Sequence, residues 1–273
     1  MTQQNSIPAE VGATYDQFTD AFAQSLGGNV HVGYWESEKD DSPIEVATNR
    51  LTDLVADRLA LTGTGRVLDV GCGNGKPAVQ IATGRGLQVV GITVSDHQLQ
   101  QARTRPQDER LPGRASFHLA DAMELPFEDS SFDGAYAIES ILHMPDKNAV
   151  FGHLARVLRP GARLVVADPY QNGEISSEDA DPLIQANERY HFSLITADLY
   201  HKYLHRAGLQ LVEFTDIREH IQRSYDILAT EFRRDALTAS GDTAAQLTDA
   251  AAAIEETSRI PQISYMVLTA VRP

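Results

Sequence analysis

An α/β architecture is what this 273-residue sequence predicts: a mostly parallel sheet of seven strands, helices on both faces, and a helical cap. Three observations carry it. From Arg66 onward, short apolar runs alternate with helical stretches. The first run opens into a glycine-rich turn, and two more runs return near the C-terminus. Long helical segments outside that alternation predict a cap of the kind that excludes water and shapes a pocket.

Residues 1–60 read as helical and form the first cap segment. "PIEVATNRLTDLVADRLAL" carries Ile44, Val46, Leu51, Leu54, Val55 and Leu59 near helical spacing, behind Ser42-Pro43 as N-cap and first helical position. A core at 61–170 follows, with "RVLDVG", "LQVVGIT", "ASFHLAD", "FDGAYAI" and "ARLVVAD" as five strands. Pro169 biases Asp168 towards extended geometry and predicts that the fifth strand ends there. A second cap insertion spans 171–206. Residues 207–218 and 262–273 supply the last two strands, "LQLVEFTDI" and "QISYMVLTAV". The segment between them, 219–261, is too long for a bare loop in a compact domain and is expected to be helical cap.

Composition narrows the partners. A net charge of -15 repels phosphate backbones, and no basic stripe offsets it, which excludes nucleic acid. No apolar run approaches the roughly 20 residues that span a bilayer, and no signal peptide is visible. The single cysteine fits a reducing cytoplasm. Cys72 lies between loop glycines and reads as a small buried side chain. His201 and His205 stand four apart on an expected helix, but no HExxH pattern surrounds them, so no metal site is expected. Oligomeric state stays open.

The strongest local signal is "VLDVGCGNG", a strand, a turn with Gly71, Gly73 and Gly75, then a helix. Glycines admit close backbone approach, the helix N-terminus favours an anion, and such a turn lies where open α/β sheets bind ligands. An ordinary tight turn would show the same spacing.

In order along the chain, "NVHVGYW" at 29–35, "VLDVGCGNG", "GITVSDHQ", "ADAMELPFEDSSFDGAYAIESILHM" and "VLRPGARLVVAD" resemble the class I S-adenosylmethionine-dependent methyltransferases. The likeness covers nearly the whole chain. It implies a Rossmann-like fold and S-adenosylmethionine as cofactor. Carried over, it sets Gly71 and Gly73 against the methionine part, with Asp69 and Gly75 of the same motif among the cofactor-binding residues. Thr93 and Gln98 would face the ribose, Thr93 standing where many relatives carry an acidic residue. Asp121 and Ala122 would meet the adenine, and Ile138 the sulfonium or methionine moiety. Tyr34 and Trp35 would close the site from above, although Trp35 reads equally as a core plug.

More narrowly, the chain is similar to natural-product methyltransferases typified by the rebeccamycin sugar O-methyltransferase and the demethylrifamycin methyltransferase. Their usual pattern has two adjacent histidines after the fourth strand and an acid at the end of the fifth. This chain keeps His143 and Asp168 but has Leu142 in place of the first histidine. The resemblance implies an enzyme of secondary-metabolite and antibiotic biosynthesis. It would move a methyl group by in-line displacement to a hydroxyl or amine, with His143 as base and Asp168 orienting it. His143 also reads as a cap on the "HMPD" helix turn, and Asp168 as a strand-end carboxylate paired with a neighbour. Spinosyn-type cyclases are similar in sequence too, so ring closure without consumption of the cofactor is the alternative reading.

Overall fold

The computed structural model describes residues 7–107, 110 and 113–273. At its centre β1 (Arg66–Val70), β2 (Gln88–Thr93), β3 (Arg114–Leu119), β4 (Phe132–Ile138), β5 (Leu158–Gln171), β6 (Gln210–Asp216) and β7 (Ile263–Val271) form one sheet in the order β3-β2-β1-β4-β5-β7-β6. The first five strands pair in parallel; β7 runs antiparallel between β5 and β6. This is the Rossmann-like arrangement expected. Alternation sets the layers: Leu68 and Val70 of β1 face one hydrophobic cluster, and Val67 faces the other.

Around the sheet lie α1 (Ile7–Ser25), α2 (Ile44–Leu59), α3 (Lys76–Arg85), α4 (Asp96–Thr104), α5 (Lys147–Val157), α6 (Ser177–Tyr190), α7 (Ala197–Arg206), α8 (Arg218–Ala236) and α9 (Asp242–Arg259). One sheet face is covered by α2, α3 and α4, through Leu51, Val55, Leu59, Ile81 and Leu99. The other is covered by α5 and α7, through Val150, Phe151, Leu154, Tyr200 and Leu204.

Two elements depart from the expected cap segments. Helices α2 and α7 are sheet-covering helices, because their apolar stripes are matched by the strands beneath them. The roof is built from α1, α6, α8 and α9, with Leu26, Leu228, Phe232, Leu247 and Ala251 in a small core of its own. A third departure is β5, which does not end at Asp168 but continues to Gln171. Its pairing with β4 stops at Ala167, whereas β7 pairs on, with Asp168 opposite Met266 and Pro169 opposite Tyr265. Pro169 is tolerated where the ladder has only one side left to satisfy. Among the described residues no helix is long and apolar enough to cross a membrane.

Since β1 and β4 are neighbours while β2 and β3 run off to one side, the chain reverses direction at the C-terminal ends of β1 and β4. A crevice opens there, as the topology requires.

Candidate active site

The crevice is walled by the ends of four strands. After β1 the backbone N–H groups of Gly71 and Cys72 both donate to the Ile92 carbonyl, at 3.0 and 2.8 Å, tying the glycine turn to β2. Gly73 has φ +51°, and a Cβ there would fall 2.5 Å from Val30 Cγ2. Bare backbone is therefore presented beneath Val30. At the end of β2, Thr93 Oγ1 donates to Gln98 Oε1 (2.9 Å), and Gln98 Nε2 donates to Thr19 Oγ1 of α1 (3.2 Å). Asp16 of α1 accepts from the Ser95 hydroxyl, so α1 is latched to the start of α4. Beyond β3, Asp121 Oδ1 accepts from Met123 N (2.8 Å) and caps a single 3-10 turn, Ala122–Glu124.

These features enclose a cavity of about 100 Å³ whose wall includes Gly71, Gly73, Thr93, Gln98, Asp121, Ala122 and Ile138. The structure thus brings together those seven predicted cofactor residues. The donor set fits an adenosyl amino acid: open glycine backbone, hydroxyl and amide side chains, and one carboxylate able to accept from an amine.

Three predicted cofactor residues are not on that wall. Asp69 is buried, and its Oδ2 accepts from the Tyr136 hydroxyl at 2.8 Å; burial pushes its carboxyl up to about 7. Gly75 serves packing, since a Cβ there would fall 2.7 Å from Ala102 Cβ and 2.8 Å from the Phe117 ring. Tyr34 stacks on His220 at 4.4 Å instead of roofing the crevice. Beside it Trp35 is buried, with Nε1 donating to the Ser42 carbonyl, which makes it a core plug.

A second cavity, of about 170 Å³, adjoins the first. Its wall is mostly apolar and comes largely from the roof: Phe22, Leu183, Leu228, Ala250, Ala253 and Ile254 are on it. Among the described residues no lysine or arginine lines it. Val30, Glu139 and His143 line both cavities. The junction is therefore made of one apolar side chain, one carboxyl and one imidazole.

His143 ends a 3-10 turn, Ile141–His143. One ring nitrogen, Nδ1, lies 3.3 Å from the His191 carbonyl, and the ring leans on Phe192 with centroids 5.5 Å apart. Asp168 does not orient it as expected. That carboxylate is fully buried and lies on neither wall; it accepts from the backbone amides of Leu142, at 3.1 Å, and Ile141. Burial and then the neighbouring Glu139 push the Asp168 carboxyl well up. Lys147 Nζ donates to the carbonyls of Met144 (3.0 Å) and Leu142 (3.4 Å). Burial holds that amine down to about 8. The turn bearing His143 is thus gripped by a carboxyl on its N–H groups and an ammonium on its C=O groups. Leu142 turns its side chain to the second cavity.

The stretch through Ile138 and Glu139 was expected to form part of the cofactor wall, and Glu139 lines the second cavity as well. Sequence reasoning missed Lys147. A lysine directly after "HMPD" carries no signal of burial. His201 and His205 contribute to no metal-binding group, and none is found among the described residues.

Residues 61–208 match the family model described as a methyltransferase domain. The O-methyltransferase resE of Aspergillus sclerotiorum is 38% identical, over 97% of this chain and 97% of its own. The 27-O-demethylrifamycin SV methyltransferase of Amycolatopsis mediterranei is 37% identical, over 97% of this chain and 98% of its own. Among solved structures, the (4+2)-cyclase SpnF superposes with a TM-score of 0.83 at 30% identity, covering 97% of this chain and 96% of that one.

Proposed function

Because this chain belongs to the methyltransferase domain family, and is with it an S-adenosylmethionine-dependent enzyme, we propose that it methylates a hydroxyl of an uncharged, largely apolar secondary metabolite. The observation that carries this reading is the junction: His143 lies on the wall between the glycine-turn cavity and the apolar one. The bound cofactor supplies an activated methyl group. Gly71, Gly73, Thr93, Gln98, Asp121, Ala122 and Ile138 hold it. The apolar roof seats the acceptor and keeps bulk water away, so that its oxygen is held in line. His143 accepts the hydroxyl proton as the new bond forms, and the gripped turn keeps the imidazole in place. Asp168 acts one step removed, through the backbone of that turn. Antibiotics are the product class we favour, by likeness to the rifamycin relative. The one cysteine, buried and unpaired, supports a cytoplasmic location.

Leu142 and the likeness to SpnF favour a second reading, in which the apolar cavity folds a substrate for ring closure and the cofactor is not spent. Incubation with methyl-labelled cofactor and candidate hydroxylated intermediates separates the two. Label in a product heavier by one methylene unit supports methylation. A product of unchanged mass with a new ring overturns it.

A further inference from the structure

Glu139 is the carboxyl of the junction, and its setting is unusual. It is a non-glycine residue at φ +49°, a left-handed conformation that costs free energy and collects at functional sites. Both of its hydrogen bonds, from Val32 N (2.8 Å) and the Tyr265 hydroxyl (3.0 Å), fall on Oε1. The group is therefore fixed in place by one oxygen. The strain and the anchoring hold a carboxyl on the wall of both cavities, and no other described acidic residue is on both. A methyl group passing from one cavity to the other passes this point.

The chemistry at that point is a change of charge. As the carbon–sulfur bond breaks, its electron pair stays on sulfur, and a sulfonium becomes a neutral thioether. The hydroxyl proton goes to His143 in the reading above, on which this inference rests. We propose that Glu139 is the group by which the site distinguishes fresh cofactor from spent cofactor. It carries a proton in the apo protein, releases it to solvent when a sulfonium is seated at the junction, and takes one back when only a thioether remains.

The surroundings support this. Burial pushes the Glu139 carboxyl up to about 7. The titratable groups facing it are Asp168 from β5, Tyr225 from α8, Tyr265 from β7 and His143 from its own turn, with Lys147 of α5 behind Asp168. Of these Lys147 is the cationic side chain, and His143 becomes one only after it has accepted a proton. An opposite charge within about 4–6 Å favours the ionised carboxylate by about 1–3 pKa units. A sulfonium at the junction is such a charge, and its loss removes the effect.

The test needs no turnover. Calorimetric titration with S-adenosylmethionine and with S-adenosylhomocysteine, in two buffers of different ionisation enthalpy between pH 5.5 and 7, counts protons released by each. The expected difference is greatest near pH 6, where most of one proton is released per sulfonium bound and none per thioether. Sulfonium affinity rises on the order of tenfold across that range while thioether affinity stays level. Glu139→Gln keeps a carbonyl oxygen for both Oε1 bonds. It should bind the thioether as wild type does, bind the sulfonium more weakly, and lose the difference in protons. His143→Asn should keep that difference. Equal proton counts for the two ligands overturn the proposal and leave the methyltransferase reading standing. Loss of the difference in His143→Asn but not in Glu139→Gln also overturns it. Failure of wild type to bind either ligand overturns both.

Discussion

Gly73→Ala, alone and with Val30→Ala, tests how tightly the crevice is built. An alanine at φ +51° pays about 1–2 kcal/mol for the left-handed conformation. Its Cβ would also stand 2.5 Å from Val30 Cγ2, where carbon atoms rest about 3.5–4.0 Å apart, so the stiff valine must retreat by about 1 Å. Overpacking of that kind costs about 1–3 kcal/mol. Together these come to about 2–5 kcal/mol, or a melting temperature lower by roughly 10 °C in a chain of this size. Val30→Ala removes the clashing methyl, so the double variant should recover the steric part and keep the conformational part. A thermal-melt double-mutant cycle reads this as a favourable coupling of about 1–3 kcal/mol. Additive losses would refute the reasoning, because they would mean that Val30 does not roof the glycine turn. Calorimetric affinity for S-adenosylhomocysteine should follow the same pattern, since Val30 lines its cavity.

Three further outcomes are expected. His143→Asn should lower kcat by about 10²–10⁴ while thioether affinity stays within a few-fold of wild type, as single-turnover assays and calorimetry will show. Ala253→Phe fills the second cavity, and should raise KM for the acceptor at least tenfold without changing cofactor affinity in steady-state assays. His31 is buried between the Val32 carbonyl and the Thr52 hydroxyl, and burial lowers its pKa from 6.5 to about 4. The unfolded chain then binds more protons over that range. Stability attributable to His31 is full above pH 6.5 and falls by about 3 kcal/mol as pH drops to 4. Melting curves of His31→Gln over the same range should be correspondingly flatter, and an unchanged slope would count against burial as the cause.

The sheet was legible because each strand is a short apolar run closed by a turn, and both signals are local. Gly71, Gly73, Thr93, Gln98, Asp121, Ala122 and Ile138 were named through the family resemblance, and they share one wall because parallel topology gathers the strand ends, with the start of α4, on one edge. Other features were not legible because they depend on side-chain direction or tertiary packing. Asp69 and Gly71 are two apart, yet Asp69 is still inside β1, in register with Tyr136 of β4 and bonded to its hydroxyl, whereas Gly71 lies past the strand end in the turn. Asp168 and His143 look like an acid and a base in sequence; only the backbone path shows the carboxyl meeting amides instead. Helices α2 and α7 carry amphipathic stripes like any roof helix, and nothing local says which surface they cover. Glu139 was expected on the cofactor wall from its place after β4, but its left-handed conformation and its share in the second cavity are invisible in the letters.

Helix α1 supplies Val11 to the wall of the first cavity and Phe22 to the wall of the second. It is fastened to α4 through Asp16 and Thr19. One helix is thus a shared door. Were α1 to swing wide enough to free the spent cofactor, it would also uncover the acceptor site, and the two departures would be tied to a single opening rate. With methyl transfer fast, turnover would then run at the pace of that opening, and viscosity of the medium rather than the chemistry of the acceptor would set kcat.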